Sequence, residues 1–296
     1  MSKTKKFKTV QQRENLRAWL FFAPATLYYT VFGMFPVLFV LMISLTDWQG
    51  LYLANINFIG FRNFSEIFVN PDYQQMFINT VIMGGIILIL SIIISFFVAQ
   101  IMIKDIKGRA IHRAAWYIPG IISFAVISSL VSNMILPSGI INRILDQFNI
   151  APIAWTGSTF WMFFFIIIIS VWRGLGGNML LFMAGLTSIP NTLYEVGKIE
   201  GCNAFQKMWY ITMPMIKPIF SFVLITSMIG MFNIFEPIQL ISKGGPEGTT
   251  RVIMFQIYSE AFENFNMGMS SAISVVVMII VMILTAFNMK FTKLKI

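Results

Sequence analysis

Two ionisable side chains, Arg173 and Glu236, lie inside long apolar stretches of this 296-residue chain. Asn233 precedes the acid by three residues, Gln239 follows it by three, and Thr226 lies seven residues before Asn233. A continuous helix would place these four on one face. Polar groups are costly in hydrocarbon and by default mark a path for a polar solute. The chemistry that these residues offer is hydrogen bonding and charge recognition.

Other polar and aromatic residues accompany them. Ser129 and Asn133 share a helical face in an earlier apolar stretch, and Phe232 and Phe235 flank the acid. Two other interpretations stay open. Amides and hydroxyls in membrane helices also serve as hydrogen-bond glue between helices, for about 1 kcal/mol each. The two ionisable groups could also pair with one another.

The sequence contains no recognisable motif for covalent chemistry. The phosphate-binding pattern G-x-x-x-x-G-K-[ST] is absent, so the chain is not expected to hydrolyse ATP. Its one histidine, His112, falls in a basic loop predicted over 104–113, which argues against a catalytic triad or a histidine metal site. The single cysteine, Cys202, excludes an intrachain disulfide. We therefore predict a non-catalytic chain with no metal or cofactor of its own.

The composition is typical of a polytopic membrane protein, with 57% hydrophobic residues, 11% charged residues and a mean hydropathy of +0.77. Crossing a hydrocarbon core about 30 Å thick takes roughly 20 apolar helical residues. The apolar runs are continuous rather than alternating, which favours helices over a barrel. We predict an all-α fold with six spans. They are 19–45, 77–103, 114–136, 160–186, 219–241 and 269–288.

Charge asymmetry predicts the orientation. With the N-terminus inside, sixteen cations fall in the cytoplasm and four outside, as the positive-inside rule requires. The predicted cytoplasmic cations are Lys3, Lys5, Lys6, Lys8, Arg13, Arg17, Lys104, Lys107, Arg109, Arg113, Lys198, Lys207, Lys217, Lys290, Lys293 and Lys295. The predicted outer cations are Arg62, Arg143, Lys243 and Arg251. We expect a cytoplasmic tail over 1–17, a membrane domain over 18–290 and a second cytoplasmic tail over 291–296.

A long polar insertion separates the fourth and fifth predicted spans. It runs over 187–215 and contains two helical patterns, PNTLYEVGKIE and NAFQKMWYI, which meet at Gly201. Pro214 and Pro218 are expected to break the chain before the next span. We predict a compact helical knob (187–215) on the cytoplasmic face, because connections between packed helices are usually much shorter. An amphipathic segment lying on lipid is the alternative.

The spacing within the helical knob matches a known signature. Glu195 is followed by Gly201 six residues later, and Ile211 and Pro214 fall at the required later positions. The pattern resembles E-A-A-x-x-x-G, nine residues, then I-x-L-P, which is the cytoplasmic signature of the integral membrane subunits of ABC importers. The departures are Val196, Gly197 and Met213.

Four further stretches look like the carbohydrate branch of that family, the maltose-type permeases and their F-type partner. They are FIGFRNF, AGLTSIPNTLYE, QKMWYITMP and KGGPEGTTRVIMFQIYSEAF. The resemblance covers the chain from about residue 19 onward. It implies the type I ABC importer permease fold in a compact six-span form, with a cytoplasmic coupling helix, in a bacterial plasma membrane with both termini cytoplasmic.

The resemblance also implies roles. The helical knob would dock on an ATPase subunit and transmit its closure to the spans by rigid-body rocking. The implied coupling residues are Glu195, Val196, Gly197, Glu200, Gly201, Cys202, Gln206, Ile211 and Pro214. For Glu195, capping of its own helix is the alternative. The implied substrate pathway contains Ser129, Asn133, Arg173, Phe232, Asn233, Phe235, Glu236 and Gln239.

The function implied is a permease that forms half of the pathway for an oligosaccharide. An arginine exposed to that pathway favours an acidic sugar such as a uronate. The partners implied are a second homologous permease, two ATPase subunits that bind ATP and Mg, an extracellular solute-binding protein, the sugar and membrane lipid; nucleic acid is not among them. A homodimer stays open. The alternatives are a permease for glycerol-phosphate or another polar solute, and an ion-coupled secondary transporter with Glu236 as its proton site.

Overall fold

The computed structural model of the chain describes residues 2–50 and 56–292, and it contains helices and no β-strand within those ranges. The all-α prediction is therefore confirmed. The helices are α1 (Ser2–Tyr29), α2 (Phe35–Ile43), α3 (Arg62–Val69), α4 (Pro71–Met102), α5 (Arg109–Ile121), α6 (Phe124–Met134), α7 (Ile140–Gln147), α8 (Thr159–Thr187), α9 (Asn191–Ile199), α10 (Ala204–Lys207), α11 (Met213–Phe232), α12 (Ile253–Tyr258) and α13 (Met267–Thr292).

Two compact units divide the described chain. One contains the residues up to Ser65 together with Glu260–Val275. Within it, the Asn63 side-chain amide donates to the carbonyls of Ser44 (3.0 Å) and Thr46 (2.9 Å). The Asp47 carboxylate accepts from the side chain and backbone of Asn57, and these bonds lower the pKa of Asp47.

The second unit contains Glu66–Ser259 and the residues from Val276 onward. Helices α4 and α8 pack along each other at its centre, and Ser95 Oγ donates to the Leu175 carbonyl across the pair (3.0 Å). The start of α4 explains its position in the chain. Asn70 caps it by accepting from the Asp72 N–H (2.9 Å), and Pro71, at the first helical position, has no N–H that would need an acceptor.

In the described ranges of the chain, five helical segments are long and apolar enough to cross a membrane, or six if the bent pair α5–α6 is one span. The five are Arg17–Ile43, Pro71–Met102, Thr159–Thr187, Ala204–Phe232 and Met267–Lys290. The third predicted span, 114–136, falls on two helices rather than one, because α5 and α6 meet at an angle of 86°. Pro119 and Gly120, both poor helix formers, come just before the break. Helix α5 also begins at Arg109, so His112 is helical rather than part of a loop.

The fifth predicted span, 219–241, is displaced. The observed helical segment starts at Ala204, passes through a π-helical turn over Met208–Thr212 and ends at Phe232. Pro214 does not break this helical segment. Proline lacks an N–H and its ring clashes with the carbonyl four residues earlier in a regular α-helix, and the wider π-helical turn before it relieves both conflicts. The helix ends instead at Phe232, with Asn233 as its C-cap. Asn233 lies four residues before Pro237, and its carbonyl is the one with which the proline ring would clash in a continuing helix.

Two hydrophobic clusters form the core of the second unit. One includes Met83 of α4 and Ile166 and Ile169 of α8. The other includes Ile92 of α4 and Met179 of α8. Between these clusters, Ser170, Arg173, Gly174 and Asn178 of α8 line a cavity together with Gly84 and Ser91 of α4.

Candidate functional site

The helical knob is closed by two standard cap motifs in succession. At the end of α9, the Cys202 N–H donates to the Gly197 carbonyl (2.8 Å) and the Gly201 N–H donates to the Lys198 carbonyl (3.1 Å). These bonds form a Schellman motif, and Gly201 takes the left-handed φ of +76° that the motif requires. The junction predicted at Gly201, between the two helical patterns, is therefore a left-handed turn.

A capping box starts the next helix. Asn203 Oδ1 accepts from the Gln206 N–H and Gln206 Oε1 accepts from the Asn203 N–H, both at 2.8 Å. The structural role of Gln206 is thus to begin α10. Because the two motifs follow one another directly, the turn between α9 and α10 is held at both ends.

Contacts across the base of the helical knob join α9 to the start of the following span. The Tyr194 hydroxyl bonds the buried Thr212 hydroxyl (2.9 Å). Gly197 is buried so closely against Ile211 that a Cβ there would lie 2.9 Å from the isoleucine Cδ1. Tyr194 and Ile211 also pack against the second hydrophobic cluster. A force on the knob would therefore reach α8 and α11 through packed side chains.

The outer surface of the helical knob is open. Glu195, Glu200 and Pro214 are exposed, and Cys202 is a half-buried free thiol. Exposed apolar side chains lie beside them: Val196, Ile199, Phe205, Trp209 and Tyr210. The capping alternative for Glu195 is wrong, because α9 begins at Asn191 and places this residue in its middle.

A second candidate site is a cavity of about 330 Å³, here called the central cavity. Its lining comes from α4, the start of α6, α8 and the end of α11. The polar and charged residues among the lining are Ser91, Ser170, Arg173, Asn178, Ser227, Asn233 and Glu236. Its volume falls within the range of about 300–1,000 Å³ that is typical of small-molecule sites.

Arg173 lies fourteen residues from either end of the 29-residue helix α8. Its guanidinium stacks over the Phe124 ring with 4.9 Å between the guanidinium carbon and the ring centroid. The Nε atom is buried and has no hydrogen-bond partner in the part of the chain that the structure describes. An arginine at the centre of a span costs roughly 2.5–3.5 kcal/mol on insertion scales, so its retention indicates a use.

The central cavity brings together three of the predicted pathway residues, Arg173, Asn233 and Glu236. The predicted helical face that continued to Gln239 is wrong, because the helix ends at Phe232 and resumes only after a break. Gln239 does not line the cavity, and its Oε1 is buried without a partner.

The other predicted pathway residues lie elsewhere. Phe232 is buried in the packing, and the Phe235 ring lies 4.9 Å from that of Tyr258. Ser129 and Asn133 do share a face of α6, since the Asn133 amide donates to the Ser129 carbonyl (2.8 Å), but they are exposed outside the central cavity.

Four polar residues of the cavity and one aromatic were missed in the sequence. Ser170 and Asn178 lie three residues before and five after Arg173, so their spacing along α8 carried a signal. Ser227 meets Asn178 across the helices at 3.5 Å, a contact that no local pattern reveals. Ser91 and Phe124 reach the cavity only through the packing of α4 and the bend before α6.

The fold and the two sites define a class: a multi-pass helical membrane protein with a polar cavity between its spans and a rigid knob at one end. The sequence profile of the family described as "Binding-protein-dependent transport system inner membrane component" matches residues 110–291. The chain belongs to this family.

Individual relatives agree with that membership. YesP of Bacillus subtilis (strain 168), a probable ABC transporter permease protein, is 32% identical over 94% of this chain and 91% of its own length. LacF of Rhizobium radiobacter, a lactose transport system permease protein, is 31% identical over 91% of each chain. A crystal structure of a bacterial ABC transporter involved in the import of the acidic polysaccharide alginate contains a chain with the same fold, with a TM-score of 0.80, 20% identity and 98% of both chains covered.

Proposed function

We propose that this chain is the transmembrane permease subunit of a bacterial ABC importer and that it forms half of the translocation pathway for an oligosaccharide. The cargo arrives on an extracellular solute-binding protein. A second homologous permease completes the pathway, and two ATPase subunits, which bind ATP and Mg, drive it. The chain itself is a transport subunit rather than an enzyme, and both of its termini lie in the cytoplasm.

The observation that carries this proposal is the helical knob. It is rigid at its turn, tied to α8 and α11 at its base, and covered on its outer side by exposed acidic and apolar groups. A segment lying on lipid has no need of two cap motifs or of a packed base. The same features suit a lever that is pushed by a closing partner and moves the spans as a body.

The choice of a saccharide is supported by the relatives and by the polar lining of the central cavity. LacF is named for lactose, and amide and hydroxyl groups such as Asn178, Ser227 and Asn233 match the hydrogen-bonding needs of sugar hydroxyls. Ser129 and Asn133 of α6 lie outside the central cavity but are exposed, so they stay available to a second permease.

Affinity purification from native membranes, followed by reconstitution in liposomes, tests the proposal. We expect a second permease and an ATPase to remain bound to this chain. We also expect sugar uptake to require ATP and the binding protein, with a non-hydrolysable ATP analogue as the matched control. The ion-coupled secondary transporter predicts a different result. This chain would then be recovered alone, and its uptake would be driven by a proton gradient and lost in Glu236→Gln.

A further inference from the structure

Arg173 has no countercharge bound to it, although an acid lines the same cavity. Among the described residues, no hydrogen bond or ion pair joins Arg173 to Glu236, and the guanidinium Nε is buried without any acceptor. A half-buried guanidinium whose Nε is left without an acceptor is costly unless something else satisfies it. The two groups therefore remain free to bind different parts of one cargo molecule.

The guanidinium is also held in place. Phe124 is the first residue of α6, directly after the 86° bend, and its ring lies 4.9 Å from the guanidinium carbon. Stacking of this kind holds the plane of the guanidinium while leaving the N–H groups at its edge available. The bend thus positions a fork of donors at the wall of the central cavity, at the midpoint of α8.

The geometry of an arginine fork matches a carboxylate or a phosphate, since both accept two parallel N–H bonds. The other polar residues that line the central cavity favour a ligand in which that anion is attached to a polyhydroxylated ring or chain. Ser91, Ser170 and Ser227 offer hydroxyls, and Asn178 and Asn233 offer amides. Glu236 offers acceptors for sugar hydroxyls.

We propose that the central cavity binds the carboxylate of an acidic saccharide, of the uronate type, through Arg173. This inference rests on the proposed function as a saccharide permease and specifies the class of its cargo. Arg173 is the residue that discriminates acidic from neutral sugar, and Glu236 opposes it by repelling the same carboxylate.

The test uses the complete importer in liposomes with its own binding protein. The probes are disaccharides of galacturonate, glucuronate and mannuronate, each paired with its carboxyl-reduced neutral counterpart, and glycerol 3-phosphate as a different anion. The measured quantity is the ratio of acidic to neutral uptake in wild type, Arg173→Gln, Arg173→Lys and Glu236→Gln. Because the binding protein is the same in every sample, a change of ratio between variants reports the permease.

We expect wild type to take up at least one uronate disaccharide about tenfold faster than its neutral counterpart. Arg173→Gln should bring the ratio of acidic to neutral uptake to about one. Arg173→Lys should retain part of it, because the charge remains but the fork is lost. Glu236→Gln should raise the ratio, and this opposite sign separates a binding role from general damage to the cavity.

Three results would overturn the inference. The first is uptake of neutral sugars with no preference for any acid, and the second is an acid preference that survives Arg173→Gln. Either result would overturn the role of Arg173 and leave the proposed saccharide permease standing. Uptake of glycerol 3-phosphate that depends on Arg173, without uptake of any sugar, overturns both the inference and the proposed saccharide cargo.

Discussion

Replacement of Gly176 by alanine is expected to destabilise the folded chain by about 3 kcal/mol, at the upper end of the range for overpacked sites. Gly176 is the point where α8 touches α5. A Cβ at this position would lie 2.5 Å from the Trp116 carbonyl oxygen and 2.6 Å from the Tyr117 Cα. Both are backbone atoms, so no side-chain rotation relieves the overlap and the two helices must move apart.

The neighbouring glycine supplies the matched control. Gly177 is exposed on the same helix, and no atom lies within 4 Å of a Cβ built there. Gly177→Ala should therefore change stability by no more than about 0.5 kcal/mol. Thermal unfolding of the two purified variants, followed by fluorescence-detected size exclusion, measures the difference. Equal melting temperatures would show that α5 and α8 do not pack as closely as the structure has them.

Function would suffer together with stability in Gly176→Ala. Arg173 lies one turn before Gly176 on α8, and the carbonyl of Arg173 lies 3.3 Å from a Cβ built on Gly120 of α5. A separation of the helices would therefore shift the wall of the central cavity as well. The uptake rate of Gly176→Ala per folded molecule should therefore be lower than that of wild type.

The positions of most spans could be predicted from hydropathy alone, because about twenty consecutive apolar residues have few other uses. The breaks inside the spans could not. Proline was interpreted as a helix breaker at Pro214 and Pro218, although the helical segment continues through both. It was given no weight at Pro237, five residues after the last residue of α11, Phe232. Whether a proline breaks a helix depends on how the turn before it is packed, which the local sequence does not contain.

The two candidate sites also differ in how far the local sequence predicts them. The helical knob was predictable because its Schellman turn and capping box are local motifs, with each partner at most six residues away. The central cavity was predicted only in part, because it depends on the bend before Phe124 and on the contact between Asn178 and Ser227. Its charged members were found since a charge in an apolar stretch is conspicuous. Its serines were not, because serine is common in such stretches.

Gly201→Asp is expected to reduce ATP-driven uptake at least a hundredfold while the protein still inserts and folds. Two effects add at this position. The left-handed φ of +76° costs a non-glycine residue about 1 kcal/mol, although aspartate and asparagine tolerate it better than most. The second effect is larger. No atom of the described residues lies within 4 Å of a Cβ built on Gly201, so a new side chain points outward, onto the surface on which we propose that the ATPase docks. A new charge at such an interface costs several kcal/mol if it meets a like charge or is left unpaired.

Gly201→Asn separates these effects, because it has nearly the shape of aspartate and tolerates the same φ but carries no charge. If docking is what fails, Gly201→Asn should retain more uptake than Gly201→Asp. Both variants should then have a free energy of unfolding within about 1 kcal/mol of wild type. Aspartate should also reduce the amount of ATPase that co-purifies with the chain. Normal uptake by well-expressed Gly201→Asp would mean that the partner does not approach this turn, and the coupling surface would then lie on the exposed face of α9 around Glu195 and Ile199. If both variants instead melted early, the Schellman turn itself would be the element that uptake depends on, since the loss would precede any contact with the ATPase.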